Sequence, residues 1–136
     1  MKKILLVLMI VLLTACGKEG KLTDNDKEKK YAEMETTLKG YVDEHYNDIK
    51  DKLTEETKTI NLKITLGNLK ELGFNIKDIK NVDTGKSCDL EKTYAIIDQT
   101  PDQTEHPDAK YIINIYMQCG DYKSENYPSE NPTETE

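Results

Sequence analysis

Lys110-Tyr111-Ile112-Ile113-Asn114-Ile115-Tyr116-Met117-Gln118-Cys119 is the stretch that decides the fold. Tyr111, Ile113, Ile115, Met117 and Cys119 fall on alternate positions with Asn114 and Gln118 between them. That is the period-two pattern of a strand with one face on a core and the other in water. The apolar face needs a cover, and the N-terminal half of the chain offers one. Tyr31, Met34, Leu38, Tyr41, Val42, Tyr46, Ile49 and Leu53 recur at steps of three and four, which predicts one long amphipathic helix of about eight turns. Asp24, Asn25 and Asp26 each offer an N-cap, and Glu28 stands three residues after Asn25 in capping-box spacing. Glu35 before Lys39 and Asp48 before Lys52 set acid–base pairs four residues apart on the outer face. Gly40 costs the helix about 1 kcal/mol relative to Ala and reads as a bend or a close contact.

Between helix and strand the signals are short. A break at residues 57–59 precedes an extended run in which Ile60, Leu62 and Ile64 alternate with polar residues. Thr65 then caps a short helix with Leu66, Leu69 and Leu72 on its apolar face, and Gly73 is placed as its left-handed C-terminal residue with Phe74 folding back. Residues 75–86 are polar and end in the turn signal Asp83-Thr84-Gly85, which leads to Cys88. Residues 93–98 read as a strand and residues 99–109, with two Pro, as a long exposed loop. The predicted fold class is therefore α+β, a long N-terminal amphipathic helix packed on a small antiparallel sheet. From Ser124 onward four Glu, two Pro and no Lys predict a disordered acidic tail, 124–136.

The other end of the chain carries an address. Lys2 and Lys3 precede an unbroken apolar run from Ile4 to Leu13, followed by small residues and Cys16, the order of an export signal. Ten apolar residues make about 15 Å of helix, half of the roughly 30 Å a membrane core requires. Leu13-Thr14-Ala15-Cys16 resembles the lipobox of bacterial lipoproteins; the alternative is an ordinary secretory signal that ends beside a cysteine. The resemblance implies cleavage before Cys16, a lipid of two or three acyl chains (palmitate-type) on that residue, and attachment to the extracytoplasmic face of the cell membrane. Two chains suffice for stable anchoring where one is marginal. The division that follows is a signal peptide at 1–15, lipidated Cys16 with a flexible tether to 26, an α+β domain at 27–123 and the tail.

Removing residues 1–15 leaves 121 residues in which 17 Lys face 26 Asp and Glu, a formal charge of −9. Such a balance repels nucleic acid and anionic head groups, so phosphate-backbone binding is not expected. The chain has no Arg and no Trp but abundant Lys, Asn, Ile and Tyr, which reads as a coding bias without functional weight. With Cys16 assigned to lipid, Cys88 and Cys119 remain as an even pair in an exported domain, which favours a disulfide. Closing that 31-residue span would remove about 3–4 kcal/mol of denatured-state entropy. Two free thiols, or a fragment of a metal site, are the alternatives, and no His lies near either Cys in sequence.

Three pieces in order resemble the globular part of a type IV pilin or pseudopilin of Gram-positive type. They are Thr65-Leu66-Gly67-Asn68-Leu69-Lys70-Glu71-Leu72-Gly73-Phe74, then Asp83-Thr84-Gly85-Lys86-Ser87-Cys88, then Tyr111-Ile112-Ile113-Asn114-Ile115-Tyr116-Met117-Gln118-Cys119-Gly120-Asp121-Tyr122. The resemblance implies a long N-terminal helix across a small antiparallel sheet. A pilin keeps its apolar N-terminal helix after processing and assembles through it. Here the apolar segment precedes a lipobox and is expected to be removed, so filament assembly by that route is not expected.

No catalytic constellation is readable. His45 on the helix and His106 in the loop are the only His, too few for a nitrogen-rich metal centre, and His45 reads as a seam-edge residue. No Gly-x-Ser-x-Gly elbow or Gly-rich phosphate cradle occurs. Asp98, Asp102, Glu105 and Asp108 in the loop, or Asp24 and Asp26 before the helix, offer oxygen ligands for Ca²⁺, but without EF-hand spacing, and a solvated loop is the plainer reading. No cofactor is expected. The function these readings favour is a non-enzymatic, membrane-anchored head that binds an envelope or surface protein; a minor component of a pilus-like or secretion apparatus is the alternative, and a small-solute carrier or enzyme a third.

Overall fold

The structure is a computed structural model that describes residues 21–129. The expected signal segment, Cys16, the first part of the tether and the last seven residues of the tail lie outside the described residues. Helix α1 spans Asp24–Ile49 and ends in a 3₁₀ turn at Lys50–Lys52. Strand β1 (Leu62–Thr65) runs straight into α2 (Leu66–Glu71). Strands β2 (Tyr94–Asp98) and β3 (Ile112–Tyr116) complete an antiparallel sheet of order β1-β2-β3. Strands β4 (Gln118–Cys119) and β5 (Tyr122–Lys123) form a separate hairpin. The architecture is α+β, with the long helix packed on the three-stranded sheet and one disulfide, Cys88–Cys119.

Helix α1 covers the sheet because one stripe of it is apolar. Tyr31, Leu38, Val42 and Tyr46 are buried, four members of the predicted seam. Leu38 and Val42 meet the inner sheet face, where Ile64, Ala95 and Ile115 lie abreast in the register and Ile97 pairs with Ile113. The small void between helix and sheet measures about 10 Å³, lined by Leu38, Val42, Ile64 and Leu69 among others. That is at the lower limit for a single water and far below the size of a solute.

Both helix ends differ from the sequence reading. The cap is Thr23, one residue before the three candidates: its hydroxyl accepts from the Asp26 N–H at 3.2 Å and donates to the Asp26 carboxylate at 2.7 Å. Thr23 and Asp26 thus cap the helix through one backbone and one side-chain hydrogen bond, in place of the capping box that the spacing of Asn25 and Glu28 offered. Helix therefore occupies residues 24–26, which the sequence alone places in the tether. At the other end regular helix stops at Ile49, and Leu53 follows the 3₁₀ turn in extended backbone. Gly40 makes no close contact and α1 runs through it without a break.

The short elements follow their local chemistry. Thr65 and Asn68 form a complete capping box at the start of α2. At its end Gly73 is left-handed at φ 89°, with the Phe74 N–H on the Leu69 carbonyl and the Gly73 N–H on the Lys70 carbonyl, the two bonds of a Schellman motif. Leu72 does not join the apolar face; it is 50% exposed.

The predicted strand at residues 110–119 is divided at Met117. Up to Tyr116 it pairs with β2, which begins only at Tyr94. Beyond that point the chain changes partner: Met117 donates to the Ser124 hydroxyl at 3.0 Å and accepts from the Ser124 N–H at 3.0 Å, and β4 then pairs with β5. This exchange also corrects the tail boundary. Ser124 is buried, and the Tyr127 hydroxyl donates to the Lys92 carbonyl at 2.7 Å, so the packed domain continues past residue 123.

Two glycines test this account in opposite directions. Gly40→Ala adds a methyl in open space at a helical position and should stabilise the protein by about 0.5–1 kcal/mol. Gly120 is left-handed at φ 62°, and a Cβ there would lie 2.7 Å from the Asn81 amide nitrogen. Gly120→Ala should cost about 1–3 kcal/mol. Urea midpoints moving to higher and lower concentration respectively are the readout.

Candidate functional site

Two regions carry chemistry beyond packing: the corner around the disulfide and the groove beside α1. The corner is built by Asn81, a residue to which the sequence reading gave no role. Its side-chain oxygen accepts from the Asp83 and Thr84 N–H groups, both at 2.9 Å, which makes the turn before Cys88. Its amide nitrogen donates to the Cys119 carbonyl at 2.8 Å, so one side chain shapes one cysteine's loop and grips the other cysteine's strand. Both cysteines are essentially fully buried, which together with the bond joining them removes the free-thiol and metal alternatives. An Asn in a polar loop with Asp and Gly carries a turn signal, but nothing in the sequence says which distant carbonyl it reaches.

The N-terminal half of α1 closes the corner. The Tyr31 ring stacks on Tyr122 with centroids 3.7 Å apart, and the Val82 N–H donates to the Tyr31 hydroxyl at 3.2 Å. Lys27 pairs with Asp83 at 2.8 Å. Glu35, read as an outward partner of Lys39, faces the hairpin instead and accepts from the Tyr122 hydroxyl at 3.3 Å. Burial pushes the Glu35 carboxyl above the usual carboxylate range, with the Tyr122 bond pulling the other way. Burial and the Glu35 charge push the Tyr122 phenol up to about 12. Among the described residues the Asp48 and Lys52 side chains form no ion pair either; the pairs present are Lys27–Asp83 and Lys58–Glu55.

The other candidate residues stay apart. His45 sits half-buried on α1 and His106 is exposed in the loop after β2. Asp102 uses its carboxylate on the Thr104 N–H and hydroxyl, which holds its pKa below the usual range, and Asp98 accepts from the Thr100 N–H. These acids shape the loop's own turns. Asp26 is spent on Thr23. Among the described residues no group of three or more His, Cys, Asp or Glu is placed to hold a metal ion, and no helix is long and apolar enough to cross a membrane.

The groove follows one side of α1. Its first half, about 320 Å³, lies between Lys30, Glu33, Met34 and Thr37 on the helix and Asn75, Asp78 and Ile79 opposite. Its second half, about 520 Å³, lies between Glu44, His45 and Asp48 on the helix and residues 72–75 opposite. Tyr41 and Asn75 border both halves, and the Tyr41 hydroxyl donates to the Asn75 carbonyl at 3.1 Å. The Tyr41 ring lies against Phe74 with centroids 5.0 Å apart, so the middle of the floor is aromatic. The helical spacing of Met34 and Tyr41 was legible as a seam; that the Schellman turn of α2 would stand opposite them was not. Compared with family models, curated proteins and solved structures, the chain has no significant match.

The shifted phenol gives a pH prediction. A folded-state pKa raised above the unfolded value of about 10 means that native structure favours the protonated hydroxyl. Its contribution is fully present below pH 10 and is lost as pH rises toward about 12. Tyr46, Tyr94 and Tyr111 shift the same way. Urea midpoints measured from pH 9 to 12 should fall steeply in the native protein and less steeply in Tyr122→Phe; identical slopes would remove Tyr122 from the account.

Proposed function

We propose that the protein is an extracytoplasmic lipoprotein, held at the cell membrane by acyl chains on Cys16, whose pilin-like head is a non-enzymatic module that binds an envelope or surface protein. The observation that carries this reading is the spacing between address and head. Leu13-Thr14-Ala15-Cys16 is followed by a helix cap at Thr23. The seven residues from 17 to 23 reach at most about 25 Å, so cleavage before Cys16 would leave a complete head on a short leash. A disulfide closing the head fits an oxidising compartment. The long helix over a small sheet, with the cysteines at the Thr84-Gly85 turn and the Cys119-Gly120-Asp121-Tyr122 hairpin, supports the pilin-like description.

Binding rather than catalysis is favoured by how the polar side chains are used. Several carboxylates and hydroxyls are engaged in caps and turns, as with Thr23, Thr65, Asp89 and Asp102. The groove beside α1 is open and shallow, a shape suited to a chain segment.

Mass spectrometry of the native N-terminus tests the anchoring. The expected first residue is Cys16, heavier by a diacylglyceryl group, and Cys16→Ser should move the protein from the membrane to the soluble fraction. A native chain beginning at Met1, an unmodified thiol at Cys16, or a Cys16→Ser protein still on the membrane would overturn it.

A further inference from the structure

We propose that the groove beside α1 is the docking site for a cationic, apolar-bearing peptide segment of the partner protein, a proposal that rests on reading the head as a binding module. The two halves lie on either side of the Tyr41–Asn75 hydrogen bond and together follow α1 from Lys30 to Asp48, a path of about 27 Å at 1.5 Å per residue. The floor is apolar where contact area matters: Met34 in the first half, Tyr41 and Phe74 in the middle, and Leu72 at the far end. Leu72 is one of the two large apolar residues that the described part of the chain leaves widely exposed. It sits at the end of a rigid helix, fixed by the capping box and Schellman bonds of α2, so a partner side chain would meet a preformed surface.

The rim supplies the sign of the partner. Glu33, Asp78, Glu44 and Asp48 line the groove, against Lys30 as the one lysine on its walls. None of the four acids forms an ion pair among the described residues. His45 lies between the acids of the second half. The opposite side of the head is different. On the wet face of the sheet Lys63 lies over the Tyr94 ring at 4.2 Å, and beside it Lys123 lies over Tyr127 at 5.2 Å. A cationic segment is therefore attracted to the groove both locally and by the net charge of the chain, and apolar side chains from it can enter between the charges.

The test uses the mature chain, residues 16–136, with Cys16→Ser, and an 18-residue amphipathic peptide of Leu and Lys. Matched peptides replace every Lys with Glu, or every Leu with Ser. Amide NMR titration should give saturable shifts along the groove side of α1 and at residues 72–79 for the Leu–Lys peptide alone, weakening as NaCl is raised. Glu44 and Asp48 are exposed, so Glu44→Lys with Asp48→Lys should keep the thermal midpoint and lower affinity about tenfold or more. Leu72→Ser should lower it severalfold. Equal binding of the Leu–Glu or the Lys–Ser peptide, shifts centred on the wet sheet face, unchanged affinity in the charge-reversed protein, or a second copy filling the groove in a concentration-dependent dimer would each overturn the assignment. Anchoring is read separately by the N-terminal mass, and a partner cross-linked to another face would keep the binding head while removing the groove.

Discussion

One stripe of α1 closes the open face of a three-stranded sheet, and the fold depends on that closure. Three short strands cannot bury both faces, and a single helix has no core of its own. Tyr31, Leu38, Val42 and Tyr46 against Ile64, Ala95, Ile97 and Ile113 solve both problems at once. The outer sheet face stays wet. The helix is much longer than the strands it covers, so its ends and flanks reach past the sheet. One end meets the disulfide corner, and one flank borders the groove.

Tyrosine hydroxyls tie this frame together. The Tyr31 and Tyr41 hydroxyls hold Val82 and Asn75 in the long connection before β2, the Tyr46 hydroxyl holds Gln99 in the loop after it, and Gln99 in turn donates to the Thr57 and Ile60 carbonyls. From the other side Tyr111 donates to Asp43, Tyr122 to Glu35 and Tyr127 to Lys92. A tyrosine can bury its ring in a seam and still satisfy a polar partner at its rim. The abundance of Tyr, which as composition reads only as coding bias, is therefore part of how a small core secures long loops. Tyr94 and Tyr116 differ: they form a cross-strand ring pair on the wet face, with centroids 5.0 Å apart.

The disulfide and Asn81 act on the part of the head that the sheet does not reach. Residues 75–93 contain no strand of the sheet; Ile79 is buried there, with Ile76, Val82 and Leu90 packed less deeply. The Cys88–Cys119 bond joins that excursion to the hairpin, and Asn81 repeats the connection by hydrogen bonding. Gly120 is required beside them because the hairpin turn and the Asn81 amide leave no room for a Cβ. The reading of the head as a binding module draws on the same division: a rigid frame on one side of α1, and an open groove on the other.

The sequence by itself determined whatever depends on neighbours a few residues apart. Helical and strand periods, the Thr65 cap, the left-handed Gly73 and the inward face of the final strand were legible because each is set by local sterics and by the burial of alternate or every third to fourth side chain. The pairing of Cys88 with Cys119 was legible once Cys16 is read as part of the export signal, because the two cysteines left then have only one way to pair. Tertiary structure decided what depends on residues far apart. It placed Glu35 against Tyr122, divided the last strand at Met117 where Ser124 returns to replace β2, and left Leu72 in water opposite α1. No local pattern encodes those outcomes, because each follows from where the chain comes back in space and which unsatisfied hydrogen-bonding group it finds there.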